Sequence, residues 1–404
     1  MKRSNKKRLQ KAASAAMVVA MAASSMSTAF AADASAGNAS AAKYNVIETE
    51  WGFNKVEQDG GKTLSYSPES GLTLLEDDGF AFKDLNKNGT LDTYEDWRLT
   101  TEERAAALAD MMVADGREGI ESIAGLMLYS AHTAVQSETV SGTEIDSRAR
   151  TQDGTTTMDA ITENKLRHVL VTSIASPEVG AKWSNNLQSI VEGMDYGIPC
   201  NNSSDPRHTA KADSTEQYVA GESGTISQWP GTVGLAATYD PEIVKQYGNI
   251  VGIEYRALGI GTALSPQIDL ASEPRWSRVN GTFGDNVKLT VDLSRAVVDG
   301  YQSTYDEEGN DLGWGSESIV AMIKHWPSGG PEEGGRDGHY GFGKYAVYPG
   351  NDFETQLKNF TEGALNLDGA TEMAAAVMPY YTISHGQDPT GEDVGNGFSN
   401  YMIN

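Results

Sequence analysis

The sequence predicts an α/β protein whose main domain is a (β/α)8 TIM-barrel-like fold. The barrel is expected to be incomplete, with about six of the eight β/α units, and to follow an irregular N-terminal extension. Short apolar runs alternate with segments of helical periodicity, a pattern typical of parallel sheets with crossover helices. Polar residues directly follow several of these runs, as they do at the carboxyl ends of barrel strands. The clearest case is Ile319–Ile323, which leads into Lys324, His325 and Trp326.

The first 31 residues are predicted to be a secretory signal peptide. Six basic residues precede a small apolar stretch from Ala12 to Ala23, and Ala29-Phe30-Ala31 offers a cleavage site. No later run reaches the roughly eighteen apolar residues of a membrane span. The single cysteine, Cys200, permits no intrachain disulfide. We therefore expect a secreted bacterial protein, in the medium or at the cell surface.

The predicted mature chain is strongly acidic. Of the 31 lysines and arginines, 6 lie in the signal, which leaves 25 against 56 aspartates and glutamates. Such a surface repels phosphate backbones and anionic headgroups, so nucleic acid and anionic membranes are poor candidate partners. A neutral ligand such as a sugar meets no such repulsion.

Residues 32–100 are predicted to be the N-terminal extension, with an EF-hand-like loop at 84–95. Oxygen-bearing side chains recur there at the spacing that surrounds Ca²⁺, and Gly89 stands at the sharp turn. The candidate ligands are Asp84, Asn86, Asn88, Thr90, Asp92 and Glu95. Asp96, however, occupies the position where an apolar residue normally starts the exit helix. A structural Ca²⁺ site and a metal-free Asx turn are therefore both open.

Local signals place several helices. A capping box begins the first helix after Thr100. Asp240 is the N-cap of a second helix, with Pro241 at its first position. Helical spacing of apolar residues predicts two more, over Val287–Tyr301 and Glu354–Leu365.

The barrel is predicted to occupy residues 101–404. Its six predicted strands are Ala124–Leu128, His168–Thr172, Ile198–Asn202, Gly261–Ile268, Ile319–Ile323 and Ala374–Met378. An open parallel sheet of six strands leaves two unpaired edges, which natural proteins normally avoid. Because the chain also stops within an apparent helix at Asn404, it is predicted to be a fragment of a longer protein.

Polar residues cluster after four of the predicted strands. They are Asp205 with its neighbours Asn201 to His208; Asp269, Glu273, Arg275, Trp276 and Arg278; Lys324, His325 and Trp326; and Tyr380, Tyr381 and His385. Charged donors and acceptors bind hydroxyl groups, and aromatic rings cover the C–H face of a sugar. This mixture of side chains on one rim suits a polyhydroxylated ring.

These motifs resemble the N-terminal barrel of glycoside hydrolase family 3, the β-glucosidase type. The resemblance runs from about Lys83 to the end of the chain and rests on Asp84–Trp97, Ser204–His208, Glu273–Arg278, Lys324–Arg336 and Val377–Tyr381. It implies a retaining glycosidase that removes non-reducing terminal β-linked glucose and needs no cofactor for catalysis. The expected partner is a β-glucoside or an oligosaccharide.

The resemblance also implies roles for individual residues. Asp205 is similar to the carboxylate that grips two hydroxyls of the sugar. Arg278, Lys324 and His325 resemble the basic residues that hydrogen-bond the same sugar. Tyr381 resembles the tyrosine that orients the nucleophile.

The sequence departs from the family at its catalytic carboxylates. The family nucleophile is an aspartate in a Ser-Asp-Trp-like motif, which is absent here and expected beyond Asn404. The acid/base usually comes from a following domain. The chain is therefore predicted to bind sugar but to be inactive, because a retaining mechanism needs two carboxylates.

Other functions remain open. Asp337 and His339 lie in the glycine-rich loop, where β-N-acetylglucosaminidases of the family carry an acid/base pair. A β-xylosidase of the same family is a further alternative. From a different class, the chain could be a secreted calcium-dependent carbohydrate-binding module without catalysis.

Overall fold

Five short strands form the N-terminal part of the protein. The structure is a computed structural model that describes residues 41–128, 130–140, 157–206, 208 and 226–404; the predicted signal peptide lies outside these residues. Strands β1 (Tyr44–Glu48), β2 (Asn54–Gln58) and β3 (Leu64–Tyr66) form an antiparallel sheet, and β4 (Thr73–Asp77) and β5 (Phe80–Asp84) form a hairpin.

The extension is therefore not irregular, and that part of the prediction is wrong. The hairpin turns at Asp78 and Gly79, whose φ angles are 53° and 82°. An Asp-Gly pair with two positive φ angles is typical of a two-residue hairpin turn. The signal was present in the sequence, but the flanking strands are short and only weakly alternating.

A parallel sheet of six strands forms the main domain. Its strands are β6 (Ala131–Val135), β7 (His168–Ile174), β8 (Asn201–Ser204), β9 (Thr262–Ala263), β10 (Val320–Trp326) and β12 (Ala376–Pro379), and two short strands, β11 (Tyr345–Ala346) and β13 (Ile383–Ser384), pair separately. The sheet order follows the chain order, and each neighbouring pair is parallel. The prediction of an incomplete (β/α)8 barrel with six strands is confirmed.

Helices connect the strands. They are α1 (Thr101–Ala114), α2 (Arg117–Leu126), α3 (Thr157–Thr162), α4 (Pro177–Glu192), α5 (Thr232–Ala236), α6 (Pro241–Ala257), α7 (Val287–Gln302), α8 (Phe353–Lys358), which continues as a π-helical turn (Asn359–Ala364), and α9 (Asn400–Ile403). Thr100 makes the predicted capping box with Glu103, and the Asp240 side chain caps α6. None of the helices in the described ranges is long and apolar enough to span a membrane.

Three of the predicted strands differ clearly from the structure. Of Gly261–Ile268, only Thr262–Ala263 forms a strand, β9. Ala124–Leu128 lies largely in α2, and the first strand of the sheet is β6 instead. A short apolar run cannot be assigned to helix or strand by periodicity alone. Strand β8 begins three residues later than predicted and is polar. Its buried side chains bond neighbouring backbone carbonyls, as in the 2.7 Å bond from Ser204 Oγ to the oxygen of Val171.

The apolar core lies between the sheet and its helices. Two of these helices pack closely against each other. Helices α6 and α7 meet where a Cβ atom on Gly248 would lie 2.6 Å from the carbonyl oxygen of Val297. Only glycine permits this approach. Val251 and Val298 of these helices and Ile323 of β10 are completely buried in one apolar cluster. Because the six strands run parallel, their carboxyl ends share one edge of the sheet.

Candidate functional site

A buried ion pair lies at the carboxyl edge of the sheet. Asp205 directly follows β8, and Lys324 lies near the end of β10. The Lys324 ammonium donates to Asp205 Oδ1, with only 4% and 7% of the two side chains exposed. The sheet thus brings together two predicted sugar ligands that lie 119 residues apart in the sequence. Each charge compensates for the desolvation of the other.

Helix α6 anchors the chain after Asp205. The Tyr247 hydroxyl donates to the Pro206 carbonyl oxygen at 2.9 Å. His208 is buried, and its Nε2 lies 3.0 Å from the Glu254 carboxylate. Two contacts from one helix therefore hold the segment that carries Asp205.

His325 is paired with a carboxylate to which the sequence analysis gave no role. Its Nδ1 lies 2.7 Å from Asp269 Oδ2, while its backbone N–H and that of Gly329 donate to Asp269 Oδ1 at 2.9 and 2.6 Å. Burial raises the pKa of Asp269, but His325 and the two amides outweigh it, so the pKa lies below the usual range. Asp269 is therefore ionised at neutral pH.

The imidazole of His325 is neutral under the same conditions. Burial lowers the pKa of His325 to about 4, against the opposing effect of Asp269. With Nδ1–H donated to the carboxylate, Nε2 is left as a hydrogen-bond acceptor. The signal that could have identified Asp269 is its position between Ile268 and Leu270, where a charged residue interrupts a buried apolar run.

Aromatic rings connect His325 to the outer rim of the site. The His325 ring lies 4.7 Å from that of buried Tyr380, centroid to centroid. Tyr380 stacks on Tyr381 at 6.0 Å, and Tyr381 meets the His339 ring edge-on at 4.9 Å. Tyr381 is 62% exposed, so the structure places this predicted residue at the surface of the site.

Arg278 lies within electrostatic reach of the same cluster. It is half-buried in the loop between β9 and α7, and its charge lowers the pKa of His325 and of Asp337. The structure therefore brings all five predicted sugar-binding residues to one edge. Asp205, Lys324 and His325 are buried there, Arg278 is half-buried and Tyr381 is exposed.

A second histidine–aspartate pair lies in the glycine-rich loop. The backbone N–H of His339 donates to Asp337 Oδ1 at 2.9 Å, and its Nδ1 contacts the same oxygen. The buried indole N–H of Trp276 donates to Asp337 Oδ2 at 3.3 Å. Although burial raises the pKa of Asp337, the contacts with His339 and the charge of Arg278 bring it well below the usual range. The His339 side chain is 35% exposed, so its imidazole is accessible to solvent.

Hydrogen bonds within the EF-hand-like loop occupy two of its candidate calcium ligands. Asp84 accepts hydrogen bonds from the backbone N–H groups of Asn88 and Gly89, both at 3.0 Å. Glu95 accepts from the N–H groups of Leu85 and Asp92 at 2.7 and 3.0 Å. Within the described ranges, no three His, Cys, Asp or Glu side chains are grouped so that they could hold a metal ion. These bonds suit an Asx turn, and calcium stays a prediction.

If Ca²⁺ binds this loop, its removal by EDTA is expected to lower the melting temperature. A ligand present at a hundredfold excess over its Kd stabilises the folded state by about 2.7 kcal/mol. Thermal unfolding with EDTA and then with excess Ca²⁺ measures the effect. An Asp92→Asn variant, which loses a carboxylate of the loop, should respond less. Identical melting curves for the native chain with and without Ca²⁺ would rule the site out.

Comparisons with known proteins agree with this geometry. Residues 135–379 match the sequence model of the glycosyl hydrolase family 3 N-terminal domain. This range includes Asp205, Asp269, Arg278, Lys324 and His325, and it ends just before Tyr380.

Sequence similarity to one related enzyme extends beyond that range. The periplasmic β-glucosidase/β-xylosidase of Dickeya chrysanthemi is 37% identical over 342 residues, which is 82% of this chain and 47% of that protein. The probable β-glucosidase C of Aspergillus oryzae is 39% identical over 228 residues, 56% of this chain and 33% of that protein. The chain thus spans about half the length of the first relative and a third of the second.

A solved structure shares the fold. A β-glucosidase from Erythrobacter marinus superposes with a TM-score of 0.51 at 21% identity, over 72% of this chain and 33% of that one. At this identity the likeness concerns the fold alone.

Proposed function

The chain belongs to glycosyl hydrolase family 3, and we propose that it provides the sugar-binding barrel of a secreted bacterial β-glucosidase. The substrates would be β-linked glucosides attacked at their non-reducing ends. One observation carries the proposal: the buried Asp205–Lys324 pair lies at the same edge as His325. The names of the relatives, β-glucosidase and β-glucosidase/β-xylosidase, support it.

The proposed chemistry of binding follows from the charges. The carboxylate of Asp205 accepts hydrogen bonds from two sugar hydroxyls, while Lys324 and Arg278 donate to others. Neutral His325 accepts at Nε2. Because Asp205 and Lys324 are already desolvated and paired, they need little reorganisation when a sugar binds.

The proposed reaction is hydrolysis with retention, which needs a nucleophile and an acid/base about 5–5.5 Å apart. The sequence contains no Ser-Asp-Trp-like motif that could supply the family nucleophile. The purified chain is therefore expected to bind glucose without hydrolysing aryl β-glucosides. Calorimetric titration with glucose and a release assay with 4-nitrophenyl β-glucoside measure the two properties.

Each result has a counterpart that would contradict the proposal. Turnover of the aryl glucoside above the buffer rate would show that the chain contains its own catalytic carboxylates. Absence of binding to glucose, xylose and N-acetylglucosamine alike would remove the sugar site. Galactose, which differs from glucose at one hydroxyl, serves as the matched control ligand.

A second candidate function is favoured by the Asp337–His339 contact. In a β-N-acetylglucosaminidase such a pair would serve as the acid/base, because the imidazole is partly exposed and is held by a half-buried carboxylate. Tighter binding of N-acetylglucosamine than of glucose would support this function. Tighter binding of xylose would support a β-xylosidase.

A carbohydrate-binding module that requires calcium is the alternative without catalysis. It depends on metal at residues 84–95, so glucose titrations with Ca²⁺ and with EDTA distinguish it. A glucose affinity that vanishes with EDTA would favour the module over the enzyme.

A further inference from the structure

Two adjacent glutamates in the loop after β10 have opposite surroundings. Glu333 has half of its side chain exposed and pairs with Arg336 at 3.2 Å. Glu332 is only 2% exposed, and among the described residues neither of its carboxyl oxygens has a hydrogen-bond partner. A buried polar group without a partner costs free energy, and in a native protein it needs an explanation.

The backbone directs Glu332 inward. Glu332 forms an antiparallel bridge with Ala346 of β11. On either side of it, the Val347 N–H donates to the Pro331 oxygen at 2.9 Å and the Gly335 N–H to the Glu332 oxygen at 3.0 Å. Because these bonds anchor the segment, the inward side chain belongs to the fold of the loop.

Glu332 lies within electrostatic reach of the groups that support the two histidine–aspartate pairs. The titratable and charged groups that act on it, or on which it acts, are Asp269, Arg278, Asp337, Tyr348 and Tyr380. The buried hydroxyl of Tyr380 likewise has no hydrogen-bond partner among the described residues. Asp269 holds His325 and Asp337 holds His339, so a charge on Glu332 would repel both carboxylates.

We propose that Glu332 is a positioning residue: its buried carboxyl group keeps the Tyr380 ring against His325 and leaves both histidine–aspartate pairs undisturbed. This inference deepens the proposed function, because His325 is a sugar ligand only under that function. Ionisation of Glu332 would loosen both pairs and weaken sugar binding. The ionisation of Glu332 therefore sets the upper pH limit for sugar binding.

The charge state of Glu332 is linked to folding. Burial, with Asp337 and Asp269, raises the pKa of Glu332 to about 9, against the lowering effects of Tyr380 and Arg278. In the unfolded chain a glutamate has a pKa of about 4.3. The folded protein thus keeps a proton that the unfolded chain gives up. The stabilisation is complete below about pH 4.3 and is lost as the pH rises to about 9.

The first test compares native protein with Glu332→Gln, which keeps the shape but cannot ionise. One linked proton changes the unfolding constant by up to about tenfold per pH unit. Unfolding constants are measured in urea titrations from pH 5 to 9. The constant of the native protein divided by that of the variant should rise by up to about tenfold for each pH unit. Glu333→Gln, the exposed neighbour, should give a ratio that does not change with pH. A flat ratio for Glu332→Gln would overturn the proposal.

The second test asks whether Glu332 positions the two histidines or only contributes to the stability of the fold. The imidazole nitrogen NMR signals of His325 and His339 should shift in the native chain between pH 7.5 and 10, but not in Glu332→Gln. Glucose affinity should fall at least tenfold over the same range in the native chain and stay constant in the variant. Equal alkaline losses in both proteins would refute the role of Glu332.

These readouts also distinguish the two proposals from each other. If neither protein binds glucose at any pH, the proposed function fails. The unfolding ratios and the NMR shifts would then still decide whether Glu332 positions the histidines.

Discussion

Replacing Asp205 by asparagine is expected to destabilise the protein by about 3–5 kcal/mol and to lower its affinity for glucose at least tenfold. Removal of one partner of a buried ion pair takes an opposite charge away from a group that remains desolvated. Lys324 is 4% exposed in its side chain, so solvent cannot take over the role of the carboxylate. Urea unfolding and glucose titration measure the two effects on the same sample.

A double variant separates the two effects. Asp205→Leu with Lys324→Met removes both charges and keeps approximate volumes, so much of the stability should return. Sugar binding should not return, because both proposed sugar ligands are gone. If Asp205→Asn alone unfolds at the same urea concentration as native protein, Lys324 is compensated elsewhere and the pair is not the centre of the site.

A surface pair supplies the control for this experiment. Lys55 and Glu57 are 2.7 Å apart with about half of each side chain exposed. Breaking an exposed pair changes stability by about 1 kcal/mol or less. Glu57→Gln should therefore leave both stability and glucose affinity close to those of the native chain.

The sequence was sufficient for elements defined by local signals. The helix after Thr100 is set by a side chain that bonds a backbone group three residues away, and the helix after Asp240 by an equally local cap. The first four residues of β10 are all apolar, so both faces of the strand carry apolar side chains. A strand covered on both faces has this pattern. These features need no knowledge of distant residues.

The polar strand and the pairings within the site could not be predicted in this way. Strand β8 is polar because its side chains find partners in β7 and near α6; Asn202 Nδ2, for example, donates to the Gly259 oxygen at 3.1 Å. Asp269 and His325 are 56 residues apart in sequence. No local pattern states which carboxylate meets which base. The family resemblance predicts that Asp205 and Lys324 bind the sugar, but only the structure shows that they pair with each other.

Asp269 is the residue whose loss is expected to disturb the imidazole of His325 most. In Asp269→Asn, the amide oxygen can still accept both backbone N–H groups, which bond Oδ1 in the native protein, but the amide nitrogen would face His325 Nδ1. The imidazole must then move its proton to Nε2, which turns the proposed sugar acceptor into a donor. We expect glucose affinity to fall at least tenfold, and the ¹⁵N chemical shifts of the His325 ring to report the exchanged tautomer.

The same substitution should change stability in a pH-dependent way. The pKa of Asp269 is depressed in the folded protein, so its contribution is present above the unfolded value of about 3.9 and is lost as the pH falls through the folded value. At pH 7 the variant should be less stable by about 2–4 kcal/mol, since a buried carboxylate with three hydrogen bonds is replaced. The difference should shrink as the pH falls below about 4. Asp59→Asn, at an exposed position, should stay within about 0.5 kcal/mol of native protein. A stability difference between Asp269→Asn and native protein that is the same at pH 7 and pH 3 would show that the ionised carboxylate does not hold His325.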